Sequence, residues 1–148
     1  MQPVTVSLGD RITARALFDP ICQLYDEIFS VPPFHWNPDE SEQHRRRFKV
    51  AIASLGFGIT TAVTDDELVG FAYGYQLPVS TRWWEGFLEP VPAELTTEYE
   101  GRTFAVIDLA VRQGWAAAWA SGGVCWGRCW RANLANAPAR RVGSTLRV

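Results

Sequence analysis

One carboxylate interrupts the most apolar extended run of the chain, Thr-Phe-Ala-Val-Ile-Asp-Leu-Ala-Val at residues 103–111, and a carboxylate so placed is a candidate for moving protons. Burial in an apolar strand raises the pKa of Asp108 unless a partner holds its charge, and a raised pKa suits a general base. The competing reading is structural: Asp108 pairs with an arginine or caps backbone donors. Aromatic residues gather in the preceding sequence. Tyr73 and Tyr75 alternate with the apolar strand face of Phe71, and Trp83, Trp84 and Glu85 follow in a loop-like stretch. These five residues, Tyr73, Tyr75, Trp83, Trp84 and Glu85, read either as the wall of a binding pocket, where Glu85 attracts a cationic amine, or as core and loop packing. His35 and His44 stand isolated, without nucleophile or metal partners in sequence. Cys125 and Cys129 lie close together but supply too few ligands for a structural zinc site, so no metal is expected.

The elements that must position these groups are short and well punctuated. Asp19-Pro20 reads as a helix start, with Asp19 as the cap and Pro20 at the first helical position, and Leu17, Ile21, Leu24, Tyr25 and Ile28 recur at helical spacing. A Pro/Asn-rich turn at residues 31–38 leads to a second helix. Phe48, Ile52 and Leu55 mark its buried face, Glu40, Glu42, Arg45, Arg46 and Lys49 its wet one, and Gly56 its stop. Residues 57–64 and 68–76 flank Asp65-Asp66-Glu67, the pattern of two antiparallel strands joined by a tight turn. Residues 77–101, with three prolines, read as a long connection over a pocket that includes a short helix. The run at 103–111 is apolar on both faces, as a central strand is.

A chain of 148 residues, 47% hydrophobic and 20% charged, is one globular domain with a sizeable core. It has no apolar run of about 18 residues to span a membrane. Residues 1–5 begin no basic-then-apolar leader, which places the expected compartment in the cytoplasm, and three cysteines make no disulfide framework. The net charge of −2 hides a division. Residues 1–108 hold 8 basic and all 16 acidic residues, a net of −8, whereas residues 109–148 hold six arginines and no acid. Arg45-Arg46-Arg47 is a solvated helix face rather than a nucleic-acid site in so acidic a body. Trp115, Trp119, Trp126 and Trp130 fall at intervals of 4, 7 and 4, a spacing that mimics a membrane-surface helix, but Gly122-Gly123 weakens it and no membrane partner is expected.

The order helix-helix-strand-strand-strand, ending in Ile107-Asp108-Leu109-Ala110-Val111-Arg112, resembles the N-terminal half of GNAT-superfamily N-acetyltransferases, a bacterial member in particular. The resemblance covers about three-quarters of the chain. It implies an α/β (α+β) fold of the acyl-CoA N-acyltransferase type, a mixed central sheet flanked by helices, over residues 1–112. It also implies transfer of an acetyl group from acetyl-CoA to an amine, with a small-molecule or peptide amine as acceptor; a homodimer is compatible with it. In the family the end of the fourth strand holds the pantetheine arm through its backbone, which falls here on Leu109, Ala110 and Val111, with Arg112 opening the phosphate loop. Asp108, beside the thioester position so implied, is then the candidate base. A reading from another class is a non-enzymatic module whose aromatic loop at 77–101 binds a small molecule or a protein.

The family's next element is a loop of the type Arg-x-x-Gly-x-Gly opening a helix, and it is absent in the frame as given. Residues 113–148 form instead an atypical tail rich in Trp, Arg and Ala. The genetic code allows a test from the protein alone. Reading the third base of each codon with the first two of the next forces Gly at Trp119-Ala120, Leu at Cys125-Trp126, Gly at Trp126-Gly127 and Leu at Cys129-Trp130. An allowed continuation after Trp115 is Arg-Gly-Val-Gly-Leu-Gly-Arg-Arg-Leu-Leu-Gly-Ala-Leu-Leu-Ala, which resembles the missing loop followed by an amphipathic helix. The expectation is a tail translated out of frame from about Trp115 onward.

Overall fold

The protein is described by a computed structural model over residues 3–115; the tail from 116, with Trp119, Trp126, Trp130, Cys125 and Cys129, lies outside the described residues. Its centre is a hairpin that forms where the sequence places one. Strands β2 (Gly58–Thr64) and β3 (Glu67–Gln76) pair antiparallel with Thr64 opposite Glu67. The two residues between them, Asp65 and Asp66, have φ of 47° and 63°. Positive φ at both central positions is the type I′ geometry that matches strand twist, and short Asp side chains tolerate it.

Strand β4 (Phe104–Val111) pairs antiparallel with β3, and a strand absent from the sequence expectation, β1 (Thr5–Gly9), pairs antiparallel with β2. The sheet order is therefore β1-β2-β3-β4. This corrects the expectation of β4 as a central strand buried on both faces: among the described residues it is an edge, and Val106 and Leu109 are about half exposed, at 48% and 46%.

Helix α1 (Arg11–Ala16), also unexpected from the sequence, is capped by Asp10, whose carboxylate accepts from Ile12 N–H at 2.9 Å and Thr13 N–H at 3.1 Å. Helix α2 (Phe18–Phe29) follows after Leu17 alone, the backbone running on through Leu17 N–H to Thr13 O and Ile21 N–H to Leu17 O. Asp19 consequently sits inside the first turn and is not the cap. It pairs instead with Arg45 at 3.0 Å. Pro20 still falls in that first turn, where an N–H has no partner to lose. Helix α3 (Glu40–Ala53) buries Phe48 and Ile52 as expected, but Leu55 lies beyond its end and is 65% exposed. A single turn, α4 (Ala93–Thr96), interrupts the long connection.

Helices α2 and α3 bring Ile21, Leu24, Phe48 and Ile52 against Phe71 and Tyr73 of β3, forming one aromatic-rich core. Phe48 lies 4.5 Å from the Tyr73 ring and Phe18 stacks on Phe48 at 5.2 Å. That packing leaves the Tyr73 hydroxyl directed toward β4.

Candidate active site

The site is created by one irregularity in the β3–β4 ladder. Tyr75 is opposite Ala105 and Gly74 opposite Val106, but Tyr73 is opposite Asp108, so Ile107 is an extra residue on β4. A bulge of this kind reverses the alternation of everything beyond it. It places Asp108 on the face of Tyr73 and of the helices. Asp108 accepts a hydrogen bond from the Tyr73 hydroxyl, and its Oδ2 lies 3.7 Å from Arg47 Nε.

Helix α3 supplies the rest of the network. Glu40, His44 and Arg47 recur at four and three residues, hence on one helical face. Arg47 donates to Tyr25 OH at 3.0 Å, and Tyr25 OH donates to Glu40 Oε1 at 2.9 Å. His44 stacks on Tyr25 with centroids 3.6 Å apart and planes 2° from parallel. It is wholly buried, and neither ring nitrogen has a hydrogen-bond partner among the described residues; its Nε2 stands 3.9 Å from Asp108 Oδ2, too far for one. His44 thus packs between α2 and the sheet through its ring face.

Burial sets the electrostatics. It raises the Asp108 pKa above the ordinary carboxylate value, and the Tyr73 hydrogen bond and the Arg47 charge only partly offset it. Burial, then the Asp108 charge, pushes the Tyr73 phenol well above its ordinary value, so Tyr73 remains the donor. Burial, with the charges of Arg47 and Arg45, lowers His44 to about 3, which keeps the ring neutral.

Beside this network runs an open groove of about 580 Å³, lined by Gln43, Arg46, Arg47 and Val50 of α3, by Tyr75 and Ile107 of the sheet, and by Trp83. Asp108 itself does not line it. It stands behind Arg47 and next to Ile107, with its side chain 15% exposed. The structure therefore gathers Tyr73 with Asp108, and Tyr75 with Trp83 in the adjoining groove. Trp84 and Glu85 are not among the groove's lining residues. Trp84 donates from Nε1 to Glu98 at 2.8 Å, and Glu85 forms an exposed pair with Arg82 at 2.6 Å.

Glu98 gave no signal in sequence beyond one more acid in an acidic loop. Its buried Oε1 accepts from Trp84, from Arg102 at 3.0 Å and from the Thr103 hydroxyl at 2.9 Å, and Arg102 also donates to the α4 carbonyls of Glu94 and Leu95. This cluster anchors the connection that carries Trp83. Glu98→Ala leaves the Trp84 and Thr103 donors, both on partly buried side chains, without their acceptor and strips Arg102 of its charge partner, and is expected to cost about 2 kcal/mol, mostly by loosening the loop. Trypsin reads it: cleavage after Arg82 accelerates in the variant while the sheet's circular-dichroism signal persists, and an unchanged cleavage rate refutes the anchor.

The four remaining expected residues close β4. Arg112 N–H donates to Val69 O at 2.8 Å, so strand alternation turns the backbone polar groups of Ala110 toward β3 and those of Leu109 and Val111 toward the outer edge. No described strand pairs there. The Ala110 side chain is buried in the core, and Arg112 is held by Glu27 at 2.7 and 2.9 Å and by Glu67 at 2.6 Å.

No protein-family model and no curated protein matches the chain. Solved structures are similar in fold. An aminoglycoside N-acetyltransferase in complex with CoA is 11% identical, with 90% of this chain and 72% of that one covered at a TM-score of 0.44. A ribosomal-protein-alanine N-acetyltransferase from Brucella melitensis is 17% identical, with 87% and 73% covered at 0.44. A GNAT family acetyltransferase from Staphylococcus aureus is 10% identical, with 100% and 99% covered at 0.44. Likenesses this loose decide nothing about activity.

Proposed function

We propose that the chain derives from a GNAT-type N-acetyltransferase of the cytoplasm, acting on an amine with acetyl-CoA as co-substrate, and that residues 1–112 retain the acceptor side of that site. The observation that carries this reading is the bulge at Ile107, which sets a carboxylate of raised pKa beside a groove and leaves the backbone of Leu109 and Val111 facing an edge with no described strand. Acetyl-CoA supplies the activated acyl carbonyl. Outward N–H and C=O groups at Leu109 and Val111 suit an amide-bearing arm laid alongside as another strand would lie. Asp108 is the group to take the proton that an ammonium must lose before its lone pair can attack. Tyr73 donates a hydrogen bond to that carboxylate, and Arg47 limits how far its pKa rises. The first proton is held at Oδ1 or Oδ2 while the carbon–nitrogen bond forms, and the second proton shed by the nitrogen as the amide forms goes to the thiolate that leaves when the carbon–sulfur bond breaks.

The frame reading qualifies what this chain does. A tail out of frame from about Trp115 lacks the backbone cradle that an Arg-x-x-Gly-x-Gly loop gives to pyrophosphate, so the chain as it stands is expected to bind acetyl-CoA weakly and to turn over little. Calorimetric titration with acetyl-CoA tests it, and micromolar affinity with turnover overturns the loss. The nucleotide sequence across codons 113–118, compared with a full-length relative, tests the frame directly. In a frame-restored chain, Asp108→Ala is expected to lower transfer by about 10²-fold or more at unchanged acetyl-CoA affinity; equal rates remove Asp108 from the mechanism.

A further inference from the structure

We infer that the groove selects an amine that also carries a carboxylate, an apolar amino acid rather than a polyamine; the inference rests on the acceptor reading of this groove. The lining charges are two guanidiniums, Arg46 and Arg47, with no acid among the lining residues. Each guanidinium has carboxylates beside it: Glu42 pairs with Arg46, and Glu40 and Asp108 lie 3.6 and 3.7 Å from Arg47. A cationic amine finds its complement in Glu40 and Asp108 beside Arg47, and an anionic group on the same molecule finds its complement in Arg46.

The two arginines differ in availability. Arg47 is fixed by Tyr25 and by the charges of Glu40 and Asp108. Arg46 is 74% exposed on its side chain, and its pair is Glu42 of the same helix. Exposed pairs of that spacing contribute only about 0.3–0.5 kcal/mol, so a ligand carboxylate can take the guanidinium over at little cost. A guanidinium also offers a carboxylate two parallel donors. Between the two ends, Val50, Ile107, Tyr75 and Trp83 present apolar and aromatic surface of a size suited to one side chain. A polyamine has no carboxylate to offer the guanidinium of Arg46.

Calorimetry on the complete chain, without acetyl-CoA, compares L-phenylalanine, phenethylamine, which keeps the frame but lacks the carboxylate, and spermidine. L-phenylalanine is expected to bind about tenfold tighter than phenethylamine, the worth of one charge-assisted contact, with spermidine weakest. Arg46→Gln, at an exposed position that folding does not depend on, is expected to erase the difference. Equal affinities in the unmodified chain, a preference for spermidine, binding of neither phenyl probe, or a preference that survives Arg46→Gln overturns the inference. Acetyl-CoA titrated separately keeps the two readings apart: amine selectivity without any acetyl-CoA affinity, in the frame-restored chain as well, counts against acetyl transfer and leaves the selectivity standing.

Discussion

Gly74→Ala is expected to destabilise the fold by about 3 kcal/mol, near the top of the range for overpacking, although it adds one methyl group. A Cβ built on Gly74 would lie 2.1 Å from the Ala105 carbonyl oxygen and 2.9 Å from its carbon. Those are backbone atoms of β4, so no rotamer change relieves the clash. The Phe104 ring, 2.5 Å away, could swing aside; the ladder cannot. Gly74 is the residue beside which the register shifts, so relief requires moving β4 relative to β3 and pulling Asp108 away from Tyr73. Urea denaturation reads the loss as a lower midpoint at unchanged slope. A change within about 0.5 kcal/mol, the ordinary scatter of surface substitutions, shows that the strands separate freely there.

His44→Phe is expected to change how stability follows pH. The folded-state pKa of His44 is lowered from 6.5 to about 3. The unfolded chain therefore binds a proton that the folded chain refuses, and stability falls as pH drops from about 6.5 toward 3, by up to about 1.4 kcal/mol per pH unit. Phe keeps the stack on Tyr25 and carries no titratable group, so this component vanishes. The groups facing the ring are Tyr25 and Asp108, with the cations Arg47 and Arg45 nearby. Asp108 has the opposite sign: its raised pKa favours the folded state as pH falls through its own window. Comparing the two proteins at each pH from 7.5 to 4.5 isolates the His44 component, because Asp108 is present in both. Parallel stability curves show that His44 reaches solvent or a proton acceptor.

These two residues mark the boundary of what the sequence displays. The hairpin was legible because its strands and turn are contiguous, and both positive φ values fall on aspartates that announce a turn. The buried faces of α2 and α3 were legible from Ile21, Leu24, Phe48 and Ile52. Strand β1 was not, since Thr-Val-Ser-Leu-Gly becomes a strand only by pairing Thr5 with Val63 across the three helices. The exposed faces of β4 were hidden because a run such as 103–111 reads alike at an edge and at a centre. In the site, Asp108 and Tyr73 were each visible, but their meeting depends on the bulge at Ile107, which flips parity without altering composition. Arg47 was masked by Arg45 and Arg46, and only the helical interval from Glu40 through His44 separates it from them.

The same topology orders events in time. The β2–β3 hairpin closes a two-residue loop, and such hairpins form in about 1–10 μs. The β1–β2 ladder, with Thr5 against Val63 and Gly9 against Ile59, joins segments held apart by α1, α2 and α3. Its closure has to gather some fifty intervening residues, at an entropic cost that grows with the logarithm of their number and that local contacts repay only after the helices have docked. A growing chain emerging from the ribosome thus releases β1 well before its partner. Until Gly58–Thr64 has been made, β1 has no neighbour in the sheet, and for that interval its amide groups stay open to exchange with water.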